Sequence, residues 1–144
     1  MRYKDFEAEW LKVFAKDLTD EQRKRYITTQ GQYLWHAFSF GLVPCLEGDA
    51  AKAKYNRVSK EGATEFSGVS PHENRIPDPV PLAETHMTAE QIHEEGLSEF
   101  YVIGKDNSWC YIRTHEDGCA LGPFFCFASE EETELALRHL RARR

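Results

Sequence analysis

Hydrophobic and polar positions recur with two different periods along this chain, and the change of period divides it. Phe6, Trp10, Val13 and Phe14 fall at i, i+4, i+7 and i+8, which predicts an amphipathic helix over about residues 4–18 with an inward aromatic stripe. Thr19 and Gln22 then make the capping-box pattern, so a second helix is predicted from Asp20 towards Gln30, ended by Gly31. Over residues 33–40 both periods fit: Leu34, His36, Phe38 and Phe40 alternate, while Leu34, Ala37, Phe38 and Gly41 share a helical face. Helix is the preferred reading. Pro44 moves Val43 out of the α region, so the chain turns before Cys45, and the Ala- and Lys-rich stretch after Gly48 predicts a helix over about 49–58.

Period two takes over later. Residues 63–69 have the pattern of a strand, and the next stretch, about 69–84, carries Pro71, Pro77, Pro79 and Pro81. Those prolines remove backbone donors and fix φ, which predicts an extended surface loop, long enough to be a flap or a spacer. Thr88 as N-cap, Gln91 at N3 and Gly96 past the end delimit a short helix. "EFYVIG", "SWCYIRT" and "PFFCFA", rich in aromatic and β-branched residues, predict a three-strand antiparallel meander. Ser129 and Glu132 open a last helix whose buried stripe is Thr133, Ala136, Leu137 and Leu140. The expected fold is α+β in one domain over 1–144: N-terminal helices packed on a small sheet, with three strands and room for a fourth, and a closing C-terminal helix.

Charge narrows the partners. The net charge is −6, and the one basic cluster, "RHLRARR", follows the acidic "EEETE" within the last helix, where both signs complement the helix dipole. Nucleic-acid binding is therefore not expected, since it needs Lys and Arg gathered on one face. No apolar run has the length of a membrane span and the N-terminus lacks a signal-peptide core, so a cytoplasmic location is expected. There Cys45, Cys110, Cys119 and Cys126 stay as thiols.

Candidate chemistry is sparse. The last three cysteines are spaced by nine and seven, without the short pairs that structural zinc uses, and no metal or cofactor is expected. Phosphate loops, G-x-S-x-G and H-E-x-x-H are absent. Cys45, just before a predicted helix and close to His36 in sequence, is a candidate reactive thiol, with Glu47 beside it, although a packed, inert cysteine is the preferred reading. In the strand over 108–114, Trp109, Tyr111 and Arg113 share a face, with His115 and Glu116 following. That face is a candidate recognition surface where Arg113 and His115 would bind an anion or carboxylate; the preferred reading is that "HEDG" is only a hairpin turn with Gly118 at positive φ. His36, next to Trp35, and His115 are candidates for one shared site, the alternative being that each bonds a backbone carbonyl at the rim of an aromatic core.

The segments "LWHAFSFGLVPCLEG" and "FYVIGKDNSWCYIRTHEDGCALGPFF" resemble a family of small bacterial proteins of unknown function carrying WH-x-FS, PCLEG and THE…GPF segments. The resemblance implies a bacterial origin and a shared fold, and it supplies no catalytic residue. The expected function is protein–protein interaction of an immunity or regulatory type. The alternative is a small hydrolase or ligand-binding protein using His36, Cys45 and His115.

Overall fold

A computed structural model describes residues 2–116 and 121–142. Helix α1 spans Tyr3–Phe14 and buries Phe6, Trp10 and Phe14, the stripe read from the sequence. Helix α2, Asp20–Tyr26, begins at a complete Thr19–Gln22 capping box, and a 3-10 turn, Thr28–Gln30, follows it up to Gly31, whose φ of 83° ends the run. Helix α3 is a single turn, His36–Ser39. Helices α4 (Asp49–Arg57), α5 (Ala89–Glu94) and α6 (Glu130–Ala142) complete the six α-helices among the described residues, α5 again behind a capping box, Thr88–Gln91.

The sheet has six antiparallel strands among the described residues, not three or four. They are β1 (Leu46–Glu47), β2 (Thr64–Phe66), β3 (Val80–Pro81), β4 (Phe100–Ile103), β5 (Trp109–Arg113) and β6 (Phe124–Phe127), in the order β1-β6-β5-β4-β2-β3. The expected meander is β4-β5-β6, with Val102 opposite Tyr111 and Tyr111 opposite Phe125. The correction concerns the flanks. β2 pairs with β4, and the Pro-rich stretch, expected to be wholly loop, lends β3 to the edge beyond it. A proline is tolerated there because the missing N–H faces no neighbour. The same stretch buries Val69 and Ile76 and bridges to the N-terminus through Arg75 and Arg2.

Alternation along the strands builds two cores. Tyr101, Ile103, Cys110, Ile112, Phe124 and Cys126 face α1 and α3. Phe100, Val102, Trp109, Tyr111 and Phe125 face the opposite way, under Ala51 and Tyr55 of α4, Ala89 and Ile92 of α5, and the partly buried Ala136, Leu137 and Leu140 of α6. Helices thus cover both faces. No helix among the described residues is long and apolar enough to cross a membrane.

Candidate functional site

The second core decides the fate of the candidate recognition face. Trp109 and Tyr111 are 5% and 2% exposed, and Tyr55 stacks on Tyr111 with ring centroids 4.3 Å apart. They are core residues under α4, so the candidate surface on that face does not exist. Arg113, in phase with them at the end of β5, is part-buried on the same side of the sheet.

Trp35, His36, His115 and Glu116 lie together at the other face. Trp35 is 1% exposed, and its indole Nε1 donates to Glu99 Oε2 at 3.0 Å. Glu99, itself buried, accepts through Oε1 from the His115 backbone N–H at 2.9 Å and contacts His115 Nδ1. The Thr114 hydroxyl, donating to the Leu121 carbonyl at 2.6 Å and accepting from Glu116 N–H at 3.2 Å, fixes the turn that presents His115. Nδ1 is the nitrogen held by the carboxylate, and the other ring nitrogen, Nε2, has Glu116 Oε1 at 3.7 Å.

Around this pair runs a ladder of rings. Tyr33 and Trp35 stack at 5.6 Å; His36 packs on Trp35 at 4.2 Å and His115 on Tyr33 at 4.9 Å. His72, from the Pro-rich stretch, meets Tyr33 edge-on at 5.8 Å. At the far end Phe40 lies 5.3 Å from His36 and 5.1 Å from Tyr26, whose ring is covered by the Arg25 guanidinium. Phe40 is 45% exposed, high for a large apolar side chain.

His36 and His115 therefore flank one stacked aromatic pair, yet their chemistry differs. His36 Nδ1 is 3.0 Å from Ser39 Oγ, and the Gln30 backbone acts on the imidazole to raise its pKa. Burial holds that pKa below the ordinary histidine value, against this influence and that of Glu116, with His115 pushing the same way as burial. His36 thus bonds within its own turn at the edge of the aromatic core, and His115 is the more exposed of the two. Burial together with the charges of Glu99 and Glu116 raises Tyr33, which stays a neutral phenol.

Cys45 does not join them as a nucleophile. It packs against the first core, and burial, with Glu47 beside it, pushes its thiol up to about 12, the reverse of activation. Glu47 is exposed on edge strand β1 opposite Phe124, and no described contact joins it to either histidine. Cys119 and Gly118, the predicted turn glycine, lie outside the described residues. Among the described residues no group of three or more His, Cys, Asp or Glu side chains is placed to hold a metal ion.

Sequence reading missed Tyr33, Phe40, His72 and Glu99. Glu99 had left a signal, since it shares the two-residue phase of Tyr101 and Ile103 and so is an acid at an inward-facing position. His72 left none, because only the folding back of the Pro-rich stretch carries it to Tyr33. Neither a curated protein nor a solved structure matches the chain. Residues 3–125 match the family model of a domain of unknown function, DUF4275, and the chain belongs to that family.

Proposed function

We propose that this domain is a protein-binding module whose recognition surface is the ring ladder from Tyr26 and Phe40 through His36 to Tyr33, His72 and His115. The observation that carries the reading is Phe40: an exposed phenylalanine in ring contact with both Tyr26 and His36 extends an ordered aromatic surface into solvent. Aromatic side chains on rigid supports are the anchors that protein partners bury. The free, buried thiols Cys110 and Cys126 suit a reducing cytoplasm. A photo-crosslinking residue at position 40 is expected to capture one protein species, with capture lost in Tyr33→Ala and absent from a crosslinker at exposed Leu135. Equal capture from both positions, or capture indifferent to Tyr33→Ala, refutes the proposal.

A second reading rests on His115. A histidine oriented through Nδ1 by a buried carboxylate, with its side chain 37% exposed, is the arrangement of a general base. Hydrolysis of activated esters that vanishes in His115→Gln and survives in Cys45→Ala would favour it; identical rates in both variants and the parent would remove it.

A further inference from the structure

A second histidine, outside the ladder, is gripped from both sides. His86 ends the 3-10 turn Glu84–His86; its Nδ1 meets Glu65 Oε2 from β2, and its Nε2 meets Glu95 Oε2 at 2.5 Å, just past α5. Its position is fixed independently of these bonds. The Tyr55 hydroxyl of α4 donates to the His86 carbonyl at 2.5 Å, and the imidazole meets the Phe100 ring of β4 edge-on at 5.0 Å. The side chains of His86 and Glu65 are 12% and 9% exposed, and that of Glu95 is 39% exposed.

We propose that Glu65, His86 and Glu95 form a proton-operated clasp that fastens the C-terminal end of α5 to the sheet. An ionised carboxylate only accepts hydrogen bonds, and a neutral imidazole donates from one nitrogen alone. Both contacts together therefore require the imidazolium. With it the cluster carries a net charge of about −1; without it the charge is about −2 and a nitrogen lone pair faces a carboxylate oxygen. The two ends are unequal. Glu65 is the more buried carboxylate and has the less water to turn to, so neutral His86 keeps its Nδ1–H on Glu65, and exposed Glu95 is the group that leaves.

The groups that face the imidazole are few. Glu65 and Glu95 are the charges acting on it, α4 contributes the neutral Tyr55 hydroxyl and β4 the apolar Phe100. The Lys60 ammonium sits over the Tyr55 ring at 4.6 Å and donates to the Val58 carbonyl. Thr85 acts on Glu95 in the same direction as His86, lowering its pKa. Burial, the largest single influence, lowers the His86 pKa, but the bonds and charges of Glu95 and Glu65 together outweigh it and raise the group. Glu95 is lowered, chiefly by its bond from His86. A raised histidine stabilises below its unfolded value of 6.5 and loses that contribution as pH rises through its folded value; a lowered carboxylate stabilises above 4.5 and loses its contribution as pH falls. The clasp is closed in mildly acidic solution and opens on the alkaline side.

Amide exchange measured on the whole protein across about pH 5–9, corrected for intrinsic rates, tests this together with the His86 titration read by NMR. Protection of amides 92–96 is expected to fall as pH passes the His86 midpoint, by about tenfold for each unit by which the pKa stands above its unfolded value. In Glu95→Gln, a change at an exposed position, the midpoint drops and the pH dependence flattens. Three results overturn the clasp: protection at 92–96 that ignores pH, a dependence unchanged in Glu95→Gln, or an equal fall in the α1 amides, which would make the transition global.

Discussion

Replacing Glu99 by glutamine tests how the ladder is held, because it keeps the shape and removes the charge. In the native protein Oε1 takes the His115 N–H at 2.9 Å and the Nδ1 contact, and Oε2 takes the Trp35 indole N–H at 3.0 Å. A glutamine has one oxygen. Placed towards His115, it turns its NH2 on the indole of a residue 1% exposed, leaving a buried donor without an acceptor. An orphaned buried donor costs about 1–3 kcal/mol, and loss of charge assistance in the surviving bonds adds about 1 kcal/mol. The expected destabilisation is about 2–4 kcal/mol, or a melting temperature lower by roughly 5–15 °C for a domain of this size. Urea unfolding followed by tryptophan fluorescence and far-UV circular dichroism measures it. Trp35→Phe removes the competing donor, so in that background Glu99→Gln should cost at least about 1 kcal/mol less. A Glu99→Gln protein within about 0.5 kcal/mol of the parent, or strict additivity with Trp35→Phe, would refute this account.

Gly104→Ala should be severely destabilising, because a Cβ there would lie 2.4 Å from Trp109 Nε1; chemical denaturation should show a loss of about 1–3 kcal/mol or more, and a neutral effect would contradict the packing of Trp109. Native Cys45, in a Cys119→Ser background, should react with a thiol reagent at pH 8 roughly a thousandfold more slowly than an unhindered cysteine, with the ordinary rate restored on unfolding. His36 should titrate below the ordinary histidine value of 6.5, so its contribution to stability is present above that value and lost as pH falls, opposite in sign to His86. An NMR midpoint for His36 at or above 6.5 would contradict the burial argument.

What could be read directly from the chain was local. The Thr19–Gln22 and Thr88–Gln91 boxes form within four residues, so the letters alone announce them, and both are complete in the structure. The β4-β5-β6 meander was legible for a related reason, since period two and the intervening breaks specify it. β1 and β3 are two residues each and exist only because a distant strand pairs with them, Leu46 with Phe125 and Pro81 with Thr64. No window contains that information. The error over Trp109 and Tyr111 has the same origin. Alternation says correctly that they share a face, but whether that face meets water depends on α4, whose Ala51 and Tyr55, four residues apart, come down on it. In the candidate site both histidines were named from the sequence, whereas the carboxylate that positions His115 was not.

Two buried carboxylates, Glu65 and Glu99, are 7% exposed each, and each is met by a histidine. The two systems stand back to back at the start of β4. Glu99 and Phe100 are consecutive, so Glu99 serves Trp35 and His115 on the α1 side while Phe100 packs under His86 on the other. A carboxylate removed from water needs donors, and a histidine at the domain's margin supplies one while remaining open to protons from solvent. This separates the consequences of mutation at the two histidines from those of an ordinary surface site. His86→Ala or His115→Ala leaves a buried charge short of a donor and so disturbs the fold, whereas a side-chain amide returns an N–H and removes the ring. A phenotype seen in alanine and absent in asparagine or glutamine at either position reports on the buried carboxylate, and one that persists in the amide reports on the imidazole itself, its ring contacts included.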